Sequence, residues 1–290
     1  MGLPASGKTT YLAALWHLVE ADEAECRLKL ESYRGDLSYL NLIAEAWRTF
    51  QKVPRTSQVG DMNVEIQLLD RETGVSGTAF FPDLAGETFD LQVGERRCRP
   101  EFVEGVDIDD GILFFINADV KGNFLSITEF NAWLPSGGEV EIDGAGAGLE
   151  KNREDEVGPP VLREWEPKLL PAQVKVVQLL SDLMRPPFAI RQRRLAILIS
   201  AWDLTHGMNL APSQWLASHM PLVDQFLKTN GAFFKHQVYG VSAQGVSLED
   251  NSAVDEAAKL TPSRRIQIVG REAEGHDLTA PLVWLMSADE

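Results

Sequence analysis

The chain has 290 residues, of which 43 are acidic and 27 are basic, so its formal net charge is −16 at pH 7. This length is enough to bury the core of one large α/β domain with insertions. The excess of acidic residues argues against a protein that binds nucleic acid or an anionic membrane through its bulk charge. Cys26 and Cys98 lack metal-ligand spacing, and no apolar run reaches the roughly 18 residues of a membrane span. We therefore expect a soluble, cytoplasmic protein without a disulfide framework.

The first residues of the chain match a phosphate-binding loop, because residues 2–9 fit the pattern G-x-x-x-x-G-K-[ST] in full. In such a loop the glycines let backbone N–H groups close around a phosphate chain, Lys8 reaches the terminal phosphates and assists their transfer, and the Thr9 hydroxyl is placed to bind Mg²⁺. The pattern predicts a nucleoside triphosphate site made by Gly2, Pro4, Ala5, Ser6, Gly7, Lys8, Thr9 and Thr10. A buried strand ordinarily leads into this loop, and only Met1 precedes Gly2. We expect that a first strand is missing, through a late start codon or a trimmed chain.

The segments that follow the loop predict two helices and a hairpin. Apolar residues recur at helical spacing from Thr9 to Glu20 and again from Leu37 to Phe50. The first helix would start at the loop, where its dipole favours phosphate. Polar and apolar residues alternate in Asn63–Leu69 and in Ser76–Phe81, which predicts a β-hairpin.

Continuous apolar runs in the second part of the chain are typical of buried parallel strands. They occupy Gly111–Ile116 and Leu195–Ser200, and a last strand is predicted near His236–Val241. Residues 121–171 are acidic and rich in glycine, which predicts an insertion. Residues 247–275 are polar and predict a further excursion from the core.

Three more helices complete the predicted order of elements. They cover Ala172–Met184, a segment from an N-cap at Ser213 to Thr229, and Leu278–Met286. Strands that alternate with helices predict a three-layer α/β fold of the P-loop nucleotide-binding kind, with a mostly parallel sheet and helices on both faces. We expect residues 1–290 to form a single domain, with the ligand at the carboxyl ends of the strands.

A second phosphate-associated pattern is the sequence Asp83-Leu84-Ala85-Gly86, which follows a predicted strand and matches D-x-x-G. At this place Asp83 could hold Mg²⁺ through water, and the N–H of Gly86 could meet the γ-phosphate. The alternative is an ordinary turn between a strand and a helix. Glu87 follows Gly86, at a position where many proteins with this pattern carry a glutamine that orients the attacking water. The carboxylate of Glu87 cannot donate the hydrogen bond that a glutamine amide donates. We therefore expect slow hydrolysis.

The element between the first helix and the hairpin should supply a second magnesium hydroxyl, and Thr56 is the candidate. Arg55 beside it could turn toward the phosphates as an arginine finger in cis. The alternative for Arg55 is a solvated loop residue.

Base recognition is expected after the strand that ends at Ser200. The segment Ser200-Ala201-Trp202-Asp203 resembles the guanine-reading element [NT]-K-x-D, with Ser200 in place of asparagine and Ala201 in place of lysine. The Asp203 carboxylate can accept hydrogen bonds from guanine N1–H and N2–H₂, which adenine does not offer, and Trp202 could stack on the base. The alternative for Asp203 is a cap on the next turn. Ser242-Ala243 resembles the loop whose backbone N–H groups contact the guanine oxygen.

The order of these elements resembles the Ras-like branch of the translation-factor-related GTPases. The sequence Asp-Leu-Ala-Gly-Glu at 83–87, together with Asp277-Leu278-Thr279 and Pro281-Leu282-Val283-Trp284, is similar more particularly to bacterial double-GTPase proteins. The resemblance implies a GTPase-like domain that binds GTP or GDP with Mg²⁺ and acts as a molecular switch with a protein partner, either a second GTPase or an effector. Two alternatives stay open: a P-loop small-molecule kinase that uses ATP, and a nucleotide-binding interaction module without turnover.

Overall fold

The structure is a computed structural model that describes most of the chain outside one long central segment. The described residues are 1–21, 23–54, 63–81, 86–98, 100, 102–104, 111–119, 170–271 and 273–287. The insertion expected at 121–171 lies outside these ranges except for its last two residues. No helix among the described residues is long and apolar enough to cross a bilayer.

The first three strands of the chain form an antiparallel sheet. Its strands are β1 (Leu28–Arg34), β2 (Val64–Asp70) and β3 (Ser76–Phe81), in the order β1-β2-β3. The pairing of β2 with β3 confirms the predicted hairpin. The sequence analysis did not predict β1, because most of its side chains are exposed and its apolar residues do not alternate regularly.

A five-stranded sheet carries the larger part of the fold. It contains β4 (Gly111–Asn117), β5 (Arg193–Ser200), β6 (Phe234–Ser242), β7 (Gln267–Val269) and β8 (Glu274–Gly275), in chain order across the sheet. The first three strands pair in parallel, whereas β7 and β8 are antiparallel.

The sheet is therefore mixed rather than mostly parallel, and β6 is not the last strand. Strands β7 and β8 lie within residues 247–275, the segment for which the sequence predicts a polar excursion. Strands of three and two residues are too short to show a periodic pattern in the sequence. An antiparallel edge strand beside parallel ones is common in α/β folds.

Helices connect most of the strands. They are α1 (Lys8–Ala21), α2 (Leu37–Arg48), α3 (Gly86–Glu95), α4 (Ala172–Asp182), α5 (Pro212–His219), α6 (Pro221–Thr229), α7 (Asn251–Ala257), α8 (Pro262–Arg265) and α9 (Ala280–Met286), with a 3₁₀ helix at Trp202–Met208. Helices α1, α2, α4 and α9 confirm the predicted ones to within two residues at each end.

The predicted single helix from Ser213 to Thr229 is wrong in two respects. The segment forms two helices that meet at Met220, and Ala211 rather than Ser213 stands at the first N-cap. Pro221 has no N–H to donate, and its ring disfavours helical backbone at the preceding residue. Met220 accordingly leaves the helical region, with φ −130° and ψ 51°.

The core has two parts, which lie on opposite faces of the five-stranded sheet. Phe115 and Leu198 point to one face, where they pack with α1, α2 and the antiparallel sheet. Phe114 and Ile197 point to the other face, where they pack with α3 to α6. Because successive side chains of a strand alternate between faces, continuous apolar strands require helices on both sides, and the structure has them.

The first two residues lie beside β4 in the parallel direction. The Met1 amino group donates to the Leu113 carbonyl at 2.7 Å, the Phe115 N–H donates to the Met1 carbonyl at 2.9 Å, and Gly2 bridges to Phe115. The phosphate-binding loop therefore starts beside the carboxyl end of β4 and leads directly into α1.

Candidate nucleotide-binding site

A cavity of about 470 Å³ lies at the carboxyl ends of β4, β5 and β6. This volume is within the usual range of sites for small organic ligands. The cavity is at the edge of the sheet where open α/β folds bind their ligands. Its walls come from five parts of the chain: residues 4–10, residues 52–54, Asn117, residues 200, 201, 203 and 204, and residues 242–244 and 246–248.

Two positions of the phosphate-binding loop, Gly2 and Gly7, have a backbone conformation and close neighbours that only glycine accommodates. Gly7 has φ 85°, and a Cβ there would lie 2.7 Å from the Ser200 Cβ. Gly2 has φ 145°, and a Cβ there would lie 2.7 Å from the Phe115 carbonyl oxygen. Gly7 is thus the place where the loop rests on β5, whereas Gly2 packs on β4 and does not line the cavity.

Lys8 is the first residue of α1 and is buried within the loop, with 7 % of the residue's surface exposed. Its Nζ donates to the carbonyls of Gly2 and Leu3 at 2.9 and 2.8 Å and to the Ser6 Oγ at 3.2 Å. The ammonium also lies 5.9 Å from the centroid of the Phe89 ring. These contacts hold a positive charge inside the loop, next to the N-terminus of a helix of 14 residues.

The residues predicted to bind magnesium are only partly within the described ranges. Thr9 lines the cavity beside Lys8. Thr56, Arg55 and Asp83 lie outside the described residues, and so does the side chain of Glu87. Gly86 is the first residue of α3. Among the described residues, no group of three or more His, Cys, Asp or Glu side chains could hold a metal ion.

Two polar side chains, those of Asp203 and Ser242, meet in the wall of the cavity. The Ser242 Oγ donates to the Asp203 Oδ1 at 2.5 Å, and Ser242 is almost fully buried at the end of β6. Asp203 lies in the first turn of the 3₁₀ helix, which follows Ala201 in left-handed backbone conformation at φ 54°. The hydrogen bond fixes the orientation of a carboxylate in the cavity wall.

Trp202 does not take the place predicted for it. Its ring is 4 % exposed, belongs to the core on the α3 to α6 side, and does not line the cavity. The ring lies against β6 at Gly240, where a Cβ would come within 2.3 Å of the indole. The expected stacking of Trp202 on a base is therefore wrong, because burial of the apolar indole takes the ring into the core. Leu204, which is half exposed, lines the cavity instead.

The end of α2 holds the loop after β6 through hydrogen bonds to Ala243 and Gln244. The Trp47 Nε1 donates to the Ala243 carbonyl at 2.8 Å, and the Gln244 Nε2 donates to the Trp47 carbonyl at 3.3 Å. Arg265 completes this support, since its guanidinium lies 4.7 Å from the Trp47 ring and donates to the Arg48 carbonyl at 3.3 Å. Burial lowers the pKa of Arg265, although an arginine stays protonated at any ordinary pH. The end of α2 and the loop after β6 thus form one packed unit.

Several cavity residues were not predicted from the sequence. Asn117 directly follows an apolar strand run, and a polar residue at a strand end was a signal that could have identified it. Residues 52–54 and 246–248 belong to segments with no pattern of their own, and only the packing of α2 and β6 brings them to the cavity.

A sequence model of the family described as double-GTPase 1 matches residues 1–285. The chain belongs to this family. No curated protein and no solved structure matches the chain.

Membership of the double-GTPase 1 family implies that the chain binds a guanine nucleotide. In this double-GTPase chain the phosphate loop, Asp203, Ser242 and Ala243 all line one cavity.

Proposed function

We propose that this chain is a Mg²⁺-dependent GTPase of the Ras-like class, which hydrolyses GTP slowly and signals its nucleotide state to a protein partner. The partner would be a second GTPase or an effector. The observation that carries the proposal is the cavity in which residues 4–10 and the hydrogen-bonded pair Asp203 and Ser242 are combined.

Residues 4–10 form the part of the cavity here called the phosphate end. This part would bind a triphosphate through its backbone N–H groups, the dipole of α1 and the charge of Lys8. Lys8 is already held inside the loop by the carbonyls of Gly2 and Leu3, so little ordering of its side chain would remain when phosphates bind. Thr9 would hold Mg²⁺ together with Thr56 and Asp83, and the ion would neutralise charge on the phosphates.

The part of the cavity wall made by Asp203, Ser242 and Ala243, here called the base end, has groups that suit the binding of guanine. The Asp203 carboxylate would accept hydrogen bonds from N1–H and N2–H₂, whereas adenine presents an acceptor and a C–H along the corresponding edge. Ser242 orients that carboxylate. The Ala243 carbonyl is directed toward α2 by Trp47, so the N–H of Gln244 across the same trans peptide is directed away from α2. Leu204 and Leu248 offer apolar surface to the flat faces of the base.

Slow hydrolysis follows from Glu87, since a carboxylate adds negative charge beside the phosphates and donates no hydrogen bond to them. Arg55 would supply the compensating charge in the transition state. A second candidate function, a nucleotide-binding module without turnover, is favoured by the same Glu87 and by Ala201, which lacks the lysine side chain of the guanine-reading pattern.

The test compares fluorescent GTP, GDP and ATP binding to the purified chain, with Mg²⁺ and with EDTA, followed by phosphate release in a single turnover. We expect GTP to bind more tightly than ATP, Mg²⁺ to strengthen that binding, and phosphate to appear slowly. A preference for ATP would overturn the GTPase proposal. Tight GTP binding without any release of phosphate would select the module without turnover.

A further inference from the structure

The side chain of Asn117 connects the end of β4 to the phosphate loop. Its Nδ2 donates to the Ala5 carbonyl at 2.9 Å, and its Oδ1 accepts from the Asp119 N–H at 2.9 Å. The amide is therefore engaged at both ends, and the Asp119 contact requires that the nitrogen faces Ala5. Asn117 also lines the cavity.

Ala5 is a place where the loop needs such a contact. Its φ is 57°, in the left-handed region that residues with a Cβ rarely adopt. A conformation of this kind persists only where the surroundings hold it. The bond from Asn117 to the Ala5 carbonyl holds the peptide that follows this strained residue.

The neighbouring strand does not supply the same contact. The Ser200 Oγ donates to the Ile116 carbonyl at 3.4 Å, and Ser200 forms the floor under Gly7. Ala201 has no polar side chain at all. The guanine-reading pattern carries asparagine and lysine at these two positions, and this chain has the shorter serine and the apolar alanine there instead.

We propose that Asn117 is a positioning residue of the nucleotide site, which holds the phosphate loop at Ala5 in the shape that phosphates require. The loop is then supported by two strands in different ways, through packing on Ser200 and through a hydrogen bond from β4. The proposal rests on nucleotide binding at the proposed site, but it concerns the phosphates and so applies to any nucleoside triphosphate. A loop held in its bound shape binds with less loss of conformational entropy.

The test uses Asn117→Ala, Asn117→Leu and Asn117→Asp in the full chain. Alanine removes both hydrogen bonds, and leucine removes both at nearly the same size and branching. Aspartate keeps the acceptor for the Asp119 N–H and replaces the donor with a carboxylate oxygen. Asn251→Ala, at an exposed position in α7, is the control for loss of an asparagine elsewhere. The readouts are the Kd and dissociation rate of fluorescent GTP and ATP, and the melting temperature without nucleotide.

We expect Asn117→Ala and Asn117→Leu to raise Kd about three- to tenfold, the usual effect of one neutral hydrogen bond. The rise should appear mainly in the dissociation rate and should be the same for GTP and ATP, so that their ratio is unchanged. Asn117→Asp should weaken nucleotide binding at least as much as the other two substitutions do. It places a negative charge next to the Ala5 carbonyl oxygen and near the phosphates, and both repel it. Asn251→Ala should bind as the unmodified chain does.

Wild-type Kd and dissociation rates in Asn117→Ala and Asn117→Leu, with only a lower melting temperature, would overturn the proposal and leave a purely structural role. A change in the ratio of GTP to ATP would also overturn it, since Asn117 would then act on the base. If the unmodified chain prefers ATP, the proposed function fails. The role of Asn117 is then still tested by comparing the Kd for ATP of the variants with that of the unmodified chain. If the unmodified chain binds neither nucleotide, both proposals fail.

Discussion

The phosphate end and the base end of the cavity are built in different ways. Residues 4–10 form the phosphate end as one contiguous stretch, in which Gly7 and Lys8 take positions set by the loop and by the start of α1. The base end combines Asp203 with Ser242 from 39 residues further along the chain, and Trp47 supports it from α2. The chain itself brings the residues of a contiguous loop together, and contacts from Asn117 and Ser200 then hold its shape. An assembled wall, in contrast, exists only where the elements that carry it pack side by side.

This difference separates two kinds of substitution. Changes in the loop should weaken the binding of every nucleoside triphosphate alike, because the phosphates are common to all of them. Changes at the base end should alter the preference for guanine and leave the contribution of the phosphates in place.

Lys8→Ala should abolish triphosphate binding, with a loss of about 100-fold or more in affinity for GTP and ATP, because it removes the buried charge that would face the phosphates. Titration calorimetry with both nucleotides measures the loss. Lys228→Ala is the matched control, since this exposed lysine pairs with Asp224 on α6. Unchanged GTP affinity in Lys8→Ala would refute the assignment of the loop.

Asp203→Asn should lower the ratio of GTP to ATP affinity by about 10- to 100-fold, the usual effect of losing hydrogen bonds to a charged acceptor. The amide that replaces the carboxylate would also direct N–H groups toward the donors of guanine. Competition of the two nucleotides for a fluorescent analogue measures the ratio. If GTP is still preferred by the same factor, base recognition lies elsewhere in the chain.

Arg265→Ala should test whether the base end depends on α2. The guanidinium lies 4.1 Å from the Phe50 ring and 4.7 Å from the Trp47 ring, and it caps the Arg48 carbonyl. We expect a loss of about 2 kcal/mol in the free energy of unfolding, because buried packing and hydrogen bonds are removed together. The ratio of GTP to ATP affinity should fall by about tenfold.

Urea unfolding and nucleotide competition measure these two effects of Arg265→Ala separately. Arg265→Lys should recover less than half of the loss, because an ammonium lacks the planar fork that stacks between rings. A fall in stability with an unchanged nucleotide ratio would show that the base end does not need this support.

Trp47→Phe should have the smallest effect, about fivefold on the same ratio, because it removes one hydrogen bond to the Ala243 carbonyl while keeping an aromatic ring. Equilibrium competition measures it. Trp284→Phe is the control, since Trp284 packs against Arg194 in another part of the molecule. Equal effects of the two substitutions would mean that the Trp47 contact has no specific role at the base end.

Prediction from sequence succeeded where neighbouring residues carry the signal. Local periodicity predicts the hairpin of β2 and β3 and the helix after the loop, and continuous apolar runs predict the buried strands β4 and β5. Pro221 was visible in the sequence, and its effect on the preceding residue was sufficient to predict two helices instead of one. Strands β7 and β8 could not be predicted, because β7 is held by pairing with β6 and β8 by pairing with β7, rather than by any pattern in their few residues.

The amino-acid sequence by itself determined the phosphate loop, the helix that starts at Lys8 and the apolar runs that form the central strands, because these depend on backbone constraints and spacing within a few residues. Only the tertiary structure decided that Trp202 packs under Gly240 instead of covering a base, and that Asn117 reaches Ala5. Asp203 meets Ser242 only because β5 and β6 lie side by side. Contacts between residues far apart in the chain depend on how whole elements bury their apolar faces, and that is a property of the complete fold.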